Sequence, residues 1–273
     1  MIKSWAVENY FVAFVDILGQ KNKILSLTHL PKTENEKSEA FTIIEETAGN
    51  VVSLRDYFFE FIKSNNIPTL MWRGVSDSNI ITVALGYGCE FELPIKSVYS
   101  SLYGICGAYI LSLRDGNPIR GGADIGWGVP IPCESKEIYG SALERAYSLE
   151  HKIAHYPRIV LGNSLISYIN IVANIIPKNK NDISARYTAN ECKDLIMTDS
   201  DGCQILDVIG NGVKSIPDGI KQSWIEKAYK FIVKSHEKYL ESGNMILYAR
   251  YSFLRSYFES RVALWDIEPL KSS

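Results

Sequence analysis

The sequence predicts an α+β fold, an α/β sandwich with helices packed on a sheet, and three observations carry the prediction. Phe11-Val12-Ala13-Phe14-Val15 is an apolar, strand-like run that ends on the carboxylate of Asp16. Trp72-Arg73-Gly74-Val75-Ser76-Asp77-Ser78 repeats that arrangement further along the chain. Segments with apolar residues at three- and four-residue steps separate such runs, giving the order strand, helix, hairpin, helix, strand, helix, strand over residues 8–162.

Residues 8–16 form the first predicted strand, and a polar loop follows through Pro31-Lys32-Thr33-Glu34-Asn35. A helix is expected from Lys37 to Lys63, because Phe41, Ile44, Val51, Leu54, Phe58 and Phe61 recur at helical spacing; Gly49-Asn50 marks a place for a bend. Pro68 opens the second strand, which runs to Arg73, and Ile80-Ile81-Thr82-Val83-Ala84-Leu85 is its hairpin partner. The turn spans Gly74 to Asn79 and puts Asp77 at the hairpin tip. Pro94 precedes a helix from Ile95 to Leu113, which Asp115-Gly116-Asn117-Pro118 stops. The next strand, Ile119 to Gly126, carries Gly121 and Gly122, and glycine inside a strand points to close approach of another backbone or of a ligand. Ser141-Ala142-Leu143-Glu144 has the capping-box pattern and opens a helix to Ala154, before a strand from Arg158 to Leu161.

A helix from Ser164 to Ile176 and a basic, Asn-rich loop from Pro177 to Asp182 come next. Leu195-Ile196-Met197-Thr198 and Gln204-Ile205-Leu206-Asp207-Val208 flank Asp199-Ser200-Asp201-Gly202, a strong hairpin signal. Two helices, 218–241 and 244–263, follow it. Residues 1–163 thus form a core and 164–273 an extension packed on it, with no internal repeat.

With 273 residues, 46% of them apolar and 22% charged, the chain has enough material for a substantial core. A net charge of −2 provides no basic field for gripping a nucleic-acid backbone, so a nucleic-acid polymer is not the expected partner. Met1-Ile2-Lys3-Ser4-Trp5 lacks the features of a signal peptide, and no apolar run is long enough to span a bilayer, so a cytoplasmic protein without direct membrane binding is expected. The five cysteines (Cys89, Cys106, Cys133, Cys192, Cys203) are odd in number and contain no C-x-x-C pair, which points to reduced thiols.

Buried carboxylates stay ionised only when something positive meets them, so Asp16 and Asp77, offered at the ends of separate strands, suit a hard cation. His151 and His155 have a spacing that can chelate zinc, but no third ligand pattern accompanies them, and they read as a solvated helix face. Tyr248, Tyr251, Phe253, Tyr257 and Phe258 read as core or protomer contact rather than as a stacking platform for bases.

The order of elements, with acidic residues at the end of the first strand and at the central hairpin, resembles the class III nucleotidyl cyclase domain. That resemblance implies a ferredoxin-like core with helices on a mainly antiparallel sheet. Ala13-Phe14-Val15-Asp16-Ile17-Leu18-Gly19 looks like the first metal motif of the family, Val75-Ser76-Asp77-Ser78 like the second, and Ile119-Arg120-Gly121-Gly122-Ala123-Asp124-Ile125-Gly126 like its central strand. The succession from Arg120-Gly121-Gly122 through Tyr139-Gly140-Ser141-Ala142-Leu143 to Ala146-Tyr147-Ser148-Leu149-Glu150 and Tyr156-Pro157-Arg158-Ile159-Val160 is similar to the bacterial pyrimidine cyclases of antiphage defence, the Pycsar cyclases. The C-terminal hairpin also looks like the extension those proteins carry.

The resemblance implies that Asp16, Asp77 and the backbone carbonyl of Ile17 bind two divalent ions, Mg2+ or Mn2+, which suit all-oxygen ligation. The reaction implied is cyclisation of UTP or CTP to cyclic UMP or cyclic CMP, by attack of the ribose 3′-hydroxyl on the α-phosphorus with loss of pyrophosphate. The backbone amides of Leu18, Gly19 and Gln20 would receive phosphate oxygens. Arg73, four residues before Asp77, and Glu137, three before Gly140, fall at the family's base-contacting positions. A guanidinium only donates, so Arg73 matches O4 or O2 of uracil, O2 and N3 of cytosine, or O6 of guanine. In the family these two positions meet across a homodimer interface, so a homodimer is implied, and its product would act on a separate effector protein.

The chain also departs from the family. Purine cyclases carry an asparagine and an arginine where this chain has Glu144 and Ser148, which leaves Arg145, Arg120 or Lys152 as substitutes for the arginine. Glu144 is also explained as part of the Ser141 capping box. The alternatives are a guanylate or diguanylate cyclase, the latter opposed by the missing Gly-Gly-Asp-Glu-Phe signature, and a catalytically silent cyclase-like module that binds nucleotide or a partner.

Overall fold

The computed structural model describes residues 7–62, 70–86, 92–131 and 138–270. Strand β1 (Glu8–Ile17) lies at the middle of the sheet because both of its faces are apolar. Phe11, Ala13, Val15 and Ile17 enter the main core on one side, and Tyr10 and Val12 a smaller core on the other. Strands β3 (Ser78–Gly86) and β4 (Ile119–Pro130) flank it, both antiparallel. β2 (Leu70–Val75) pairs with β3 across the two-residue turn Ser76-Asp77. On the far side, β6 (Ile159–Leu161) runs parallel to β4, followed by β8 (Gln204–Leu206) and β7 (Ile196–Thr198). The sheet order is β2-β3-β1-β4-β6-β8-β7, and β5 (Ile138–Tyr139) pairs with the outer end of β4.

This is the expected α+β architecture with a mainly antiparallel sheet. The C-terminal hairpin is continuous with that sheet, joined to it where Val160 on β6 faces Ile205 on β8. Helix α1 (Gln20–Leu25) follows β1, and α2 (Glu34–Ile62) and α3 (Glu92–Arg114) cover the main-core face. Gly104 and Gly107 let α2 approach α3, because a Cβ at either position would fall within 3 Å of Phe58 or Phe61 ring atoms. Helix α4 (Ser141–Ser148), continued by a π-helical turn over Leu149–Ile153, covers the opposite face above β1 and β4. Helices α5 (Asn163–Ala173), α6 (Lys180–Asp194), α7 (Asn211–Lys214), α8 (Gln222–Glu241) and α9 (Met245–Glu259) complete the chain with a 3-10 turn at Val262–Trp265. No helix among the described residues is long and apolar enough to cross a membrane.

Several expectations need correction. Thr33 lies within the expected loop but forms a working capping box with Glu36: Glu36 N–H donates to Thr33 Oγ1 at 3.3 Å and the Glu36 carboxylate accepts from Thr33 N–H at 3.0 Å. α2 therefore starts earlier, and it runs through Gly49-Asn50 without interruption. Its buried seam is Ala40, Thr47, Leu54, Phe58 and Ile62, whereas Phe41 and Ile44 turn outwards. The Ser141 capping box does not form; Gly140 precedes α4 with no side-chain cap, and Ser141 Oγ donates instead to the Trp127 carbonyl at 3.4 Å. The loop expected from Pro177 to Asp182 instead runs into helix α6, which the sequence reading does not contain and which Asn179 caps by accepting from Asp182 N–H at 2.9 Å. Tyr251, Tyr257 and Phe258 are core residues, while Phe253 is exposed. Cys106, Cys192 and Cys203 are free thiols; Cys89, Cys133, Lys63 and Pro68 lie outside the described residues.

Candidate active site

Asp16 is the penultimate residue of β1, in register with Ser78 on β3 and Arg120 on β4. The pleat puts it on the α4 side of the sheet with Tyr10, Val12 and Phe14. Ser78 Oγ donates to Asp16 Oδ1 at 3.0 Å, and Arg120 Nη2 lies 3.9 Å from Asp16 Oδ2. Asp77 sits in the β2–β3 turn, where the Ile17 N–H donates to its carbonyl at 3.3 Å. The residue before it, Ser76, has φ 58°, a left-handed conformation that hairpin turns normally give to glycine, asparagine or aspartate.

Burial, and next to it repulsion from Asp77, push the Asp16 carboxyl up to about 6; Glu150 adds to the rise, while the Ser78 hydrogen bond and Arg120 oppose it. The two aspartates therefore sit close enough to repel, and a cation between them would relieve that cost. The donors expected from the sequence are all oxygen, the two carboxylates and the carbonyl of Ile17, the residue after Asp16, and such a set would fit Mg2+ or Mn2+. Among the described residues no three His, Cys, Asp or Glu side chains converge to form a complete metal cage. The rest of a coordination shell would have to come from main chain, water and substrate oxygens.

Glu150, on the π-helical turn, is almost fully buried, with its side chain 3% exposed. Its Oε1 lies 2.5 Å from Arg120 Nε, an ion pair rather than a directed hydrogen bond. Sequence reading missed both Ser78 and Glu150 as neighbours of Asp16, since only the strand register and the α4 docking bring them there. Of the three candidate arginine substitutes, Arg145 is engaged elsewhere: its Nη1 donates to the Ile125 carbonyl at 3.0 Å and to Ser164 Oγ at 2.7 Å. Lys152 and Glu144 are exposed, and Arg120 alone faces Asp16.

The remaining predicted residues separate. The Leu18 N–H donates to the Pro118 carbonyl at 2.9 Å, so it is not available to a phosphate, and the expectation narrows to Gly19 and Gln20. Gly19 has φ 89°, and Gln20 is buried at the start of α1. Arg73 on β2 lies opposite Ile80, which puts it on the same sheet face as Asp16. Glu137 lies outside the described residues. Gly121 and Gly122 are explained by packing. A Cβ on Gly121 would lie 2.6 Å from the Phe14 carbonyl, and one on Gly122 2.4 Å from the Ala146 carbonyl of α4. His151 is exposed and stacks on Tyr147, with ring centroids 5.5 Å apart.

No protein-family profile matches the chain, and no curated protein matches it. Among solved structures, it is similar to the adenylyl cyclase CyaB from P. aeruginosa, with 14% identity over 74% of this chain and 94% of that one and a TM-score of 0.45. It is similar to the monomeric guanylyl cyclase domain of the RhoGC fusion protein from the aquatic fungus Blastocladiella emersonii, at 11% identity over 62% of this chain and 90% of that one, TM-score 0.41. It is also similar to the catalytic core of a rhodopsin-guanylyl cyclase with converted specificity in complex with ATPalphaS, at 13% identity over 61% of this chain and 84% of that one, TM-score 0.40.

Proposed function

We propose that this chain is a homodimeric pyrimidine nucleotide cyclase that converts UTP or CTP to cyclic UMP or cyclic CMP and pyrophosphate. Its product would be a second messenger of antiphage defence acting on a separate effector protein. The observation that most supports the reading is the pairing of Asp16 and Asp77, two mutually repelling carboxylates whose strands are tied by the Ile17–Asp77 main-chain bond.

On this reading Asp16, Asp77 and the Ile17 carbonyl hold two divalent ions, Mg2+ or Mn2+. When bound, the ions supply Lewis acidity that favours ionisation of the ribose 3′-hydroxyl and offsets charge on the triphosphate. The protein's own contribution is placement. Ser78 fixes the Asp16 carboxylate from β3, and the strand register brings Arg120 alongside it from β4. The Gly19 and Gln20 amides receive phosphate oxygens, and Arg73 donates to a base carbonyl from the same sheet face. Glu137 from the partner protomer would accept N3–H of uracil or N4–H2 of cytosine.

Arg73 also matches O6 of guanine, which keeps a guanylate cyclase as the enzymatic alternative. The engagement of Arg145 with Ile125 and Ser164 favours a second reading, a silent cyclase-like module that binds nucleotide or a partner without turning it over. One experiment separates the three: incubation of the pure protein with Mn2+ and each of the four ribonucleoside triphosphates, with products resolved by liquid chromatography and mass spectrometry. Cyclic UMP or cyclic CMP is expected, cyclic GMP alone would transfer the assignment to guanylate cyclase, and no cyclic product from any triphosphate would leave the silent module.

A further inference from the structure

The strand pairing places a fixed positive charge beside the proposed ion site. Arg120 stands directly across the β1–β4 ladder from Asp16, and its guanidinium is drawn the other way by Glu150. Gly122 makes that arrangement possible. Two residues further along β4 on the same face, it has no side chain, so Leu149 and Glu150 settle onto the strand; a Cβ there would lie 2.5 Å from Leu149 Cβ and 2.7 Å from the Glu150 nitrogen. Glu150 has almost no access to water, so its charge is met chiefly by Arg120. With Glu150 holding Nε at 2.5 Å, Arg120 Nη2 stops at 3.9 Å from Asp16, beyond hydrogen-bond reach.

We propose that Arg120 competes with a divalent cation for the Asp16 carboxylate, and that Glu150 sets the strength of the competition by holding the guanidinium back. The inference rests on the reading of Asp16 as a metal ligand. Its consequence is a pair of opposite effects. Neutralising Glu150 releases Arg120 to close on Asp16, so cation affinity falls. Removing Arg120 takes away the competitor, so affinity rises. A role confined to packing would not give opposite signs.

The test is titration of the nucleotide-free protein with Mn2+, followed by electron paramagnetic resonance of the free ion, with folding checked by circular dichroism and melting temperature. Glu150→Gln is expected to weaken Mn2+ binding about tenfold and Arg120→Met to tighten it several-fold, with the double variant following Arg120→Met because Glu150 acts through Arg120. Arg120→Gln gives the same readout should Arg120→Met fail to fold. Single variants that shift affinity in the same direction, or not at all, would overturn the competition while leaving the ion site intact, provided Asp16→Asn abolishes binding. A parent protein that binds no Mn2+, or binds it equally well as Asp16→Asn, would overturn both the competition and the metal reading of Asp16.

Discussion

Ile17 donates its backbone N–H to the carbonyl of Asp77 at 3.3 Å, so main chain holds the β2–β3 turn to the end of β1, beside the Ser78–Asp16 side-chain bond at 3.0 Å. The Asp77 side chain has no part in either bond, and its charge burdens Asp16 through repulsion. Asp77→Ala should therefore fold as well as the parent, and its cation-free form should melt no lower at neutral pH. Cyclase turnover should fall about a thousandfold or more if Asp77 holds the ions. Product quantification beside thermal melts checks both halves, and retained turnover in a folded variant would remove Asp77 from the site.

Arg73 is expected to act on selectivity rather than on ion binding, since it lies on β2 facing the same side as Asp16 but two strands away. Arg73→Ala should raise KM for the pyrimidine triphosphate about tenfold to a hundredfold, the range for loss of a charged hydrogen bond, while Mn2+ affinity stays within about twofold. Steady-state kinetics with each triphosphate, run alongside the Mn2+ titration, provides the comparison. An equal fall in kcat for all four bases would assign Arg73 to the phosphates or to folding.

The hairpin that extends the sheet is locked to the core by a buried arginine. Arg158 donates to Asp199, to Asp201 at 2.6 Å and to the Ile153 carbonyl at 2.9 Å, and it lies over the Tyr156 ring. Its guanidinium, helped by the Cys203 N–H, holds the Asp201 carboxyl well below the usual carboxylate range. A carboxyl whose folded-state pKa is depressed contributes stability that is fully present above its unfolded value and is lost as pH falls towards the folded one. Asp201→Asn should thus cost about 1 kcal/mol at pH 7, the small figure reflecting a side chain 45% exposed, and the gap to the parent should narrow as pH falls below about 4 and close only as pH nears the folded-state value. Urea denaturation across that pH range measures it; a gap that persists unchanged in acid would show that the Asn variant acts through something other than charge.

The strands that carry the site are legible in the sequence because their signals are local. Phe11 to Asp16 and Ile80 to Leu85 announce themselves by composition, and the turn at Ser76-Asp77 falls where the hairpin pattern puts it. Helix α6 is harder to read, because its buried side chains, Ala185, Thr188, Ala189 and Cys192, are small and leave little apolar contrast. Ser141-Ala142-Leu143-Glu144 matches a capping box, yet close packing of α4 on Gly126 turns Ser141 towards the sheet; a Cβ on that glycine would lie 2.7 Å from Ser141 Oγ. The Arg120–Glu150 pair is invisible in sequence for a different reason. It depends on which strands are neighbours and how deeply α4 settles, and no spacing of thirty residues encodes either.

Two glycines offer the same substitution with opposite expected signs. Gly49 lies inside the uninterrupted helix α2, and nothing is within 4 Å of a Cβ built there, so Gly49→Ala removes backbone freedom from the unfolded chain without a clash. It should stabilise the protein by about 0.5–1 kcal/mol. Gly122→Ala puts a methyl 2.4 Å from the Ala146 carbonyl and 2.5 Å from Leu149 Cβ, so α4 and its π-helical turn must lift off β4. That should cost about 1–3 kcal/mol. It should also separate Glu150 from Arg120, so Mn2+ affinity should fall in the direction of Glu150→Gln. Urea denaturation of both variants beside the parent reads the stabilities, and the Mn2+ titration reads the coupling. A Gly122→Ala protein as stable as the parent would mean that α4 is not seated on β4 through that glycine.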